Sequence, residues 1–165
     1  MSLLDELRES ASFLSALDFL PDLLRAELHD AVDVRTRIQE EELEDIHPTV
    51  LLVERTPGGG WSPDGGAVDV IDLEFHCFAS GLDASSVAFY LGMSVNRAMH
   101  RIARRKTVIE DGINITGFRT WERPRRKTDW ADAVGPVQYQ DLPQGTERFL
   151  LTGRIGVHYR VKGDF

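Results

Sequence analysis

Leu3, Leu7, Leu14, Leu17, Leu24 and Leu28 recur at helical spacing near the start of the chain, so residues 2–30 read as helix with one side turned to a core. Pro21 suits a first helical position and cannot continue a helix passively, which predicts a kink or a fresh start there. Residues 32–38 then alternate apolar with polar, the two-residue period of a half-buried strand. A second strand is expected at Thr49 to Arg55. The third is the clearest. Ile71, Leu73, Phe75, Cys77 and Ala79 share one face, while Asp72, Glu74 and His76 share the other, which should meet water or a partner.

Val87, Leu91, Val95, Ala98 and Ile102 fall on one stripe of a helix expected over residues 84–105, with Asp83 as its N-cap. Its last turns carry Arg97, Arg101, Arg104, Arg105 and Lys106, cations that suit the negative end of the helix dipole. Asp111-Gly112 separates two apolar runs, residues 107–109 and 113–118, and reads as a hairpin turn. The final strand sets Phe149, Leu151, Ile155, Val157, Tyr159 and Val161 against Thr152, Arg154, His158, Arg160 and Lys162. If it lies antiparallel beside the third strand, its cationic face meets the acidic face of that strand. The expected class is α+β, a mainly antiparallel sheet with two helices packed on one face.

Three stretches read as exposed loops within one domain spanning residues 1–165. Residues 39–48 are mostly acidic ahead of Pro48, and residues 56–67 are rich in glycine and proline with Trp61 at the tip. Residues 122–145 are polar, with Arg123-Pro124-Arg125-Arg126-Lys127, Gly135-Pro136 and Leu142-Pro143, and little regular structure is expected there.

Composition bounds the class. A chain of 165 residues with 42% hydrophobic and 28% charged residues closes one ordinary core. The first residues are acidic where a signal peptide needs cations, and no apolar run reaches membrane-spanning length, so no membrane association is expected. Cys77 is the only cysteine, which excludes an intramolecular disulfide. The net charge of −8 is unevenly laid out: residues 1–54 hold 14 Asp/Glu against 4 Lys/Arg, whereas residues 97–127 hold 10 Lys/Arg against 3 Asp/Glu. Such a layout fits either two solvated faces or head-to-tail complementarity between copies.

Catalytic and metal chemistry find no support in the motifs. His29, His47, His76, His100 and His158 stand in different elements without close ligand pairing, and His76 and Cys77, adjacent on a strand, point to opposite faces. No Gly-x-Ser-x-Gly elbow surrounds any serine. Gly58-Gly59-Gly60 is followed by neither Gly-Lys-Ser/Thr nor a helix, so no phosphate loop is expected. Asp72 and Glu74 share a strand face, as alternation alone produces. No enzyme activity, cofactor or metal is expected. The basic clusters Arg101 to Lys106 and Arg123 to Lys127 could attract phosphate, against which stand the overall acidity and the lack of a helix-turn-helix or an aromatic RNA motif.

The order of motifs resembles the tail terminator proteins of long-tailed bacteriophages, especially those of actinobacteria. The resemblance rests on Val34-Arg35-Thr36-Arg37-Ile38, then Val50 to Arg55 running into Thr56-Pro57-Gly58-Gly59-Gly60-Trp61, then Val68 to Ile102. It resumes at Gly135-Pro136, Leu142-Pro143 and Glu147-Arg148-Phe149, for about two thirds of the chain in all. The acidic stretch Glu40 to Asp45 and the basic segment Arg119 to Lys127 are longer and more charged than the family pattern. The resemblance implies a virion protein of the neck, assembled in the host cytoplasm. It would form a ring of its own copies, typically six, that caps the tail tube, stops its polymerisation and offers a surface to the head-completion protein. Its partners would be those copies, the major tail tube protein and the head-completion protein, with DNA only passing through the lumen. Trp61, Arg123, Arg125, Arg126 and Lys127 are the residues expected at protein interfaces. Another head-tail connector or completion protein is the nearest alternative, and a cytoplasmic nucleic-acid-binding domain a more distant one.

Overall fold

The computed structural model describes residues 2–10, 14–55, 67–110, 112–127 and 142–159. In chain order the elements are α1 (Leu3–Ser10), α2 (Ala16–Glu27), β1 (Asp33–Arg35), a short 3-10 helix (Glu40–Leu43), β2 (Thr49–Arg55), β3 (Ala67–Ser80), α3 (Ala84–Arg104), β4 (Val108–Glu110), β5 (Ile113–Arg126) and β6 (Thr146–Tyr159). The strands form one sheet in the order β1-β2-β3-β6-β5-β4, antiparallel except for the β1–β2 pair. The class is α+β, as the alternation predicts.

The main core lies between one sheet face and the helices α2 and α3. Val50, Leu52, Ile71, Leu73, Phe75, Cys77, Leu151, Ile155 and Val157 meet Leu20, Leu24, Leu91, Val95, Met99 and Ile102 there. Glycine permits the closest approach: a methyl group on Gly153 would stand 2.4 Å from Phe118 Cζ.

Several elements differ from expectation. The break in the first helical region falls before Ser15, not at Pro21, which lies inside α2. Ser15 is the N-cap: its Oγ accepts from Leu17 N–H at 3.2 Å and donates to Glu54 Oε2 at 2.6 Å, and Ala16 N–H donates to the same oxygen at 3.0 Å. A carboxylate from β2 thus fixes the helix start. The first strand shrinks to three residues, Asp33–Arg35. Asp83 takes the N-cap position of α3 without a side-chain cap bond, and Val87 is exposed, because the buried stripe runs through Ala84, Ala88, Leu91, Val95, Ala98, Met99 and Ile102.

The acidic segment at 39–48 is no plain exposed loop. Leu43 and Ile46 are buried with Ile38 against Leu51, Val53 and Phe78, a second apolar cluster on the sheet face opposite the helices. Ser80 Oγ donates to Ile46 O at 2.9 Å, and Thr146 Oγ1 to Leu43 O at 2.7 Å. The stretch expected as loop from 122 also begins as strand, since β5 runs to Arg126, while residues 128–141 lie outside the described residues. The hairpin at Gly112 (φ +78°) forms as expected.

Candidate functional site

Beyond the second apolar cluster, the sheet face turned away from the helices is built of charged side chains. Strand register sets them in rows: Leu51, His76, Leu150 and Arg125 in one; Val53, Glu74, Thr152 and Glu122 in the next; Arg55, Asp72, Arg154 and Arg119 in the third. The expected meeting of an acidic β3 face with a cationic β6 face is realised in that third row. Arg154 Nε donates to Asp72 Oδ1 at 2.6 Å and its second guanidinium nitrogen to Oδ2 at 3.0 Å, a bidentate pair.

A recess of about 240 Å³ opens on this face, lined by Arg55, Glu74, His76, Glu122, Arg125, Lys127, Arg148, Leu150 and Thr152. Its floor is a chain of polar contacts. Arg55 Nε donates to Glu74 Oε1 at 2.7 Å, His76 Nε2 lies 3.1 Å from Glu74 Oε2, and Arg148 lies 3.4 Å from His76 Nδ1. This fixes the imidazole as neutral, with Nε2–H donating to the carboxylate and Nδ1 accepting from the guanidinium. Burial is the largest influence on both titrating groups. It holds His76 below its ordinary range, helped by the charge of Arg148, and it opposes ionisation of Glu74, whose carboxyl nonetheless falls below the usual range because His76 and Arg55 bond to it. Four cations against two carboxylates leave the recess net positive, which suits an incoming anion.

His76, expected to face water or a partner, is 2% exposed. Alternation placed it on the correct face; the polar floor around it comes from residues distant in sequence. Cys77 is buried on the helix side, where desolvation pushes its thiol up and away from the thiolate form. Among the described residues no group of His, Cys, Asp and Glu is arranged to hold a metal ion.

The basic segment read as one interface patch is divided by the strand. Arg125 and Lys127 line the recess, Arg125 Nε sitting 3.0 Å from Glu122. Arg126 instead forms a bidentate pair with Glu147, at 2.8 and 2.6 Å. Arg123 is exposed. Trp61 lies outside the described residues. The aromatic residue that does stand on the charged face is Trp121, 47% exposed, with the guanidinium carbons of Arg119 and Arg154 4.8 and 5.0 Å from its ring centre. The two-residue step Arg119, Trp121 along a strand is the signal that would have found it.

Two further surfaces are apolar. In α1, Ser2 and Asp5 cap each other: Asp5 N–H donates to Ser2 Oγ at 3.2 Å and Ser2 N–H to Asp5 Oδ2 at 3.0 Å. The helix carries Leu3, Leu4 and Leu7 at 71%, 65% and 56% exposure. The outer side of α3 carries Val87, Tyr90 and Met93, also exposed. Beyond these, Arg97 and Arg104 are exposed, whereas Arg101 and Arg105 reach Glu27 of α2.

No known family model matches the chain, and no curated protein sequence matches it. No helix among the described residues is long and apolar enough to cross a membrane.

Proposed function

We propose that this chain is a structural subunit of a phage neck, a tail terminator that joins with its own copies in a ring, caps the tail tube and offers the head its attachment surface. The observation that carries the reading is the exposed apolar stripe of α1. A capped amphipathic helix with Leu3, Leu4 and Leu7 turned to solvent is apolar surface of the kind that marks a protein–protein contact. The net-positive recess and the acidic N-terminal third of the chain add surfaces of opposite sign for neighbouring subunits. The order of motifs along the chain supplies the specific role; the tube protein and the head-completion protein are the other proposed partners.

An early stop codon in this gene, in the phage that encodes it, tests the role through negative-stain images of the lysate. Overlong tails beside detached DNA-filled heads are the expected result. Tails of normal length left unjoined would move the assignment to a connector or completion protein, and intact phage would overturn a neck role altogether.

A further inference from the structure

We infer that α1 of one copy docks on the outer face of α3 of a neighbouring copy. The inference rests on reading the chain as an assembly subunit, and it names the two surfaces that meet.

The receiving face is unusual for solvent. Val87, Tyr90 and Met93 recur every third residue and so form one stripe on α3, at 38%, 67% and 42% exposure, with the fully exposed Leu82 just ahead of the helix. A surface helix ordinarily puts polar residues there. At about 1.5 Å per residue the stripe from Val87 to Met93 is about 9 Å long and the apolar face of α1, Leu3 to Leu7, about 6 Å, so the stripe can take the whole of that face.

Charge matches as well. The first turn of α1 carries Asp5 and Glu6, whereas α3 contains no acidic residue. Arg97 and Arg104 continue the outer side of α3 beyond the apolar stripe and meet no carboxylate among the described residues. Leucines on the stripe with Glu6 toward these arginines would match charge as well as apolar surface.

Chain length places the contact between copies. Leu14 N–H donates to Tyr159 Oη at 2.9 Å, which pins the chain following α1 to one end of β6. The apolar stripe lies toward the other end: Phe89 packs on Phe149, and a methyl group on Gly92 would stand 3.8 Å from Cys77 Sγ, in a residue paired with Phe149. From Phe149 to Tyr159 the strand covers roughly 30 Å. Even with the chain between fully extended, Leu7 can lie at most about 18 Å and Leu4 at most about 23 Å from Leu14, both short of that span. One chain therefore cannot lay its own leucines along its own stripe, but a neighbour can. Each copy then gives one helix and receives one, a heterologous contact of the kind that closes into rings.

An eight-residue helix covers far less than the roughly 1,600 Å² of a self-sufficient interface, so cross-linking rather than mass is the suitable readout. Leu4→Cys and Met93→Cys are made in two differently tagged copies; native Cys77 is fully buried. A short bismaleimide should give a mixed-tag dimer from this pair and none when Glu40→Cys replaces Met93→Cys. With both cysteines in one chain, the products should be intermolecular oligomers. An internally closed monomer, or no more mixed dimer than the Glu40 control yields, overturns the proposal. Circular dichroism checks folding, and Leu7→Cys with Tyr90→Cys serves if either variant of the first pair is unfolded. The test uses purified protein, so a cross-link beside intact stop-codon phage would remove the neck role and leave the contact standing. Failure to cross-link beside overlong tails would do the reverse.

Discussion

Arg154 and Asp72 face each other across β6 and β3 and close a two-pronged ion pair at 2.6 and 3.0 Å, with the Arg154 guanidinium 5.0 Å from the ring centre of Trp121. The hydrogen bonds from Arg154 are the largest cause of the lowered Asp72 pKa. A carboxyl depressed in the fold stabilises above its ordinary value of 3.8, and that contribution is lost as pH falls through the folded value. Both side chains keep substantial solvent access, so Arg154→Met should lower stability only slightly at neutral pH. Urea titrations at neutral and acid pH check it: the gap between variant and parent should shrink in acid, and a gap independent of pH would refute the ion-pair origin.

Gly153 is required by its neighbour across the strand pair. A Cβ there would meet Phe118 Cζ at 2.4 Å, Cε2 at 2.6 Å and Arg119 O at 2.9 Å. The ring is held by edge contacts with Phe75 and His100, so it has little room to yield. Gly153→Ala should lower stability by about 2 kcal/mol in chemical denaturation, within the range for overpacked cores. Gly117 of the same sheet has nothing within 4 Å of an added Cβ, and Gly117→Ala serves as the near-neutral control.

These two sites show where sequence reading succeeds. Alternation alone placed Asp72 and Arg154 on matching faces, because period two is a local property that survives folding. It also gave the buried faces of β3, β6 and most of α3. What it missed came from contacts between distant segments. The acidic run at 40–45 looks like loop until Leu43 and Ile46 find Phe78 and Leu51 across the sheet. Arg123 to Lys127 look like one patch until the strand sends Arg125 and Arg126 to opposite sides, to Glu122 and Glu147 respectively. The recess could not be read for the same reason, since its lining joins β2, β3, β5 and β6.

The start of α2 supplies a sharper instance. Pro21 predicts a kink or a fresh start, yet Ser15 with Glu54 sets the boundary from 39 residues away in sequence. Glu54 Oε2 accepts from both the Ser15 hydroxyl and the Ala16 amide. Glu54→Ala should therefore fray the first turn of α2 and cost about 1 to 2 kcal/mol, the scale of a lost N-cap. Hydrogen exchange is the direct readout. The amides of the first turn of α2 should lose protection while those of α3 keep theirs, and equal loss in both helices would mean that Glu54 supports the whole core instead.

The recess floor makes the fold sensitive to mild acid. His76 is held neutral by burial and by Arg148, with Glu74 the only group opposing the shift and Arg55 adding to it. Above its ordinary value of 6.5, folded and unfolded chains both carry neutral imidazole. As pH falls through 6.5, the unfolded chain takes up a proton that the folded chain refuses, so stability declines. Glu74 extends the loss further into acid: below its ordinary 4.5 the unfolded carboxyl protonates while the folded one resists. His76→Gln keeps an N–H for Glu74 and an acceptor for Arg148 but cannot titrate. The variant should fold and show a flatter stability profile between about pH 7 and pH 5, with a difference of order 1 kcal/mol at the acid end. A profile as steep as the parent's would mean that the acid sensitivity arises elsewhere, since the substituted amide would then hold the same contacts without the proton that His76 declines.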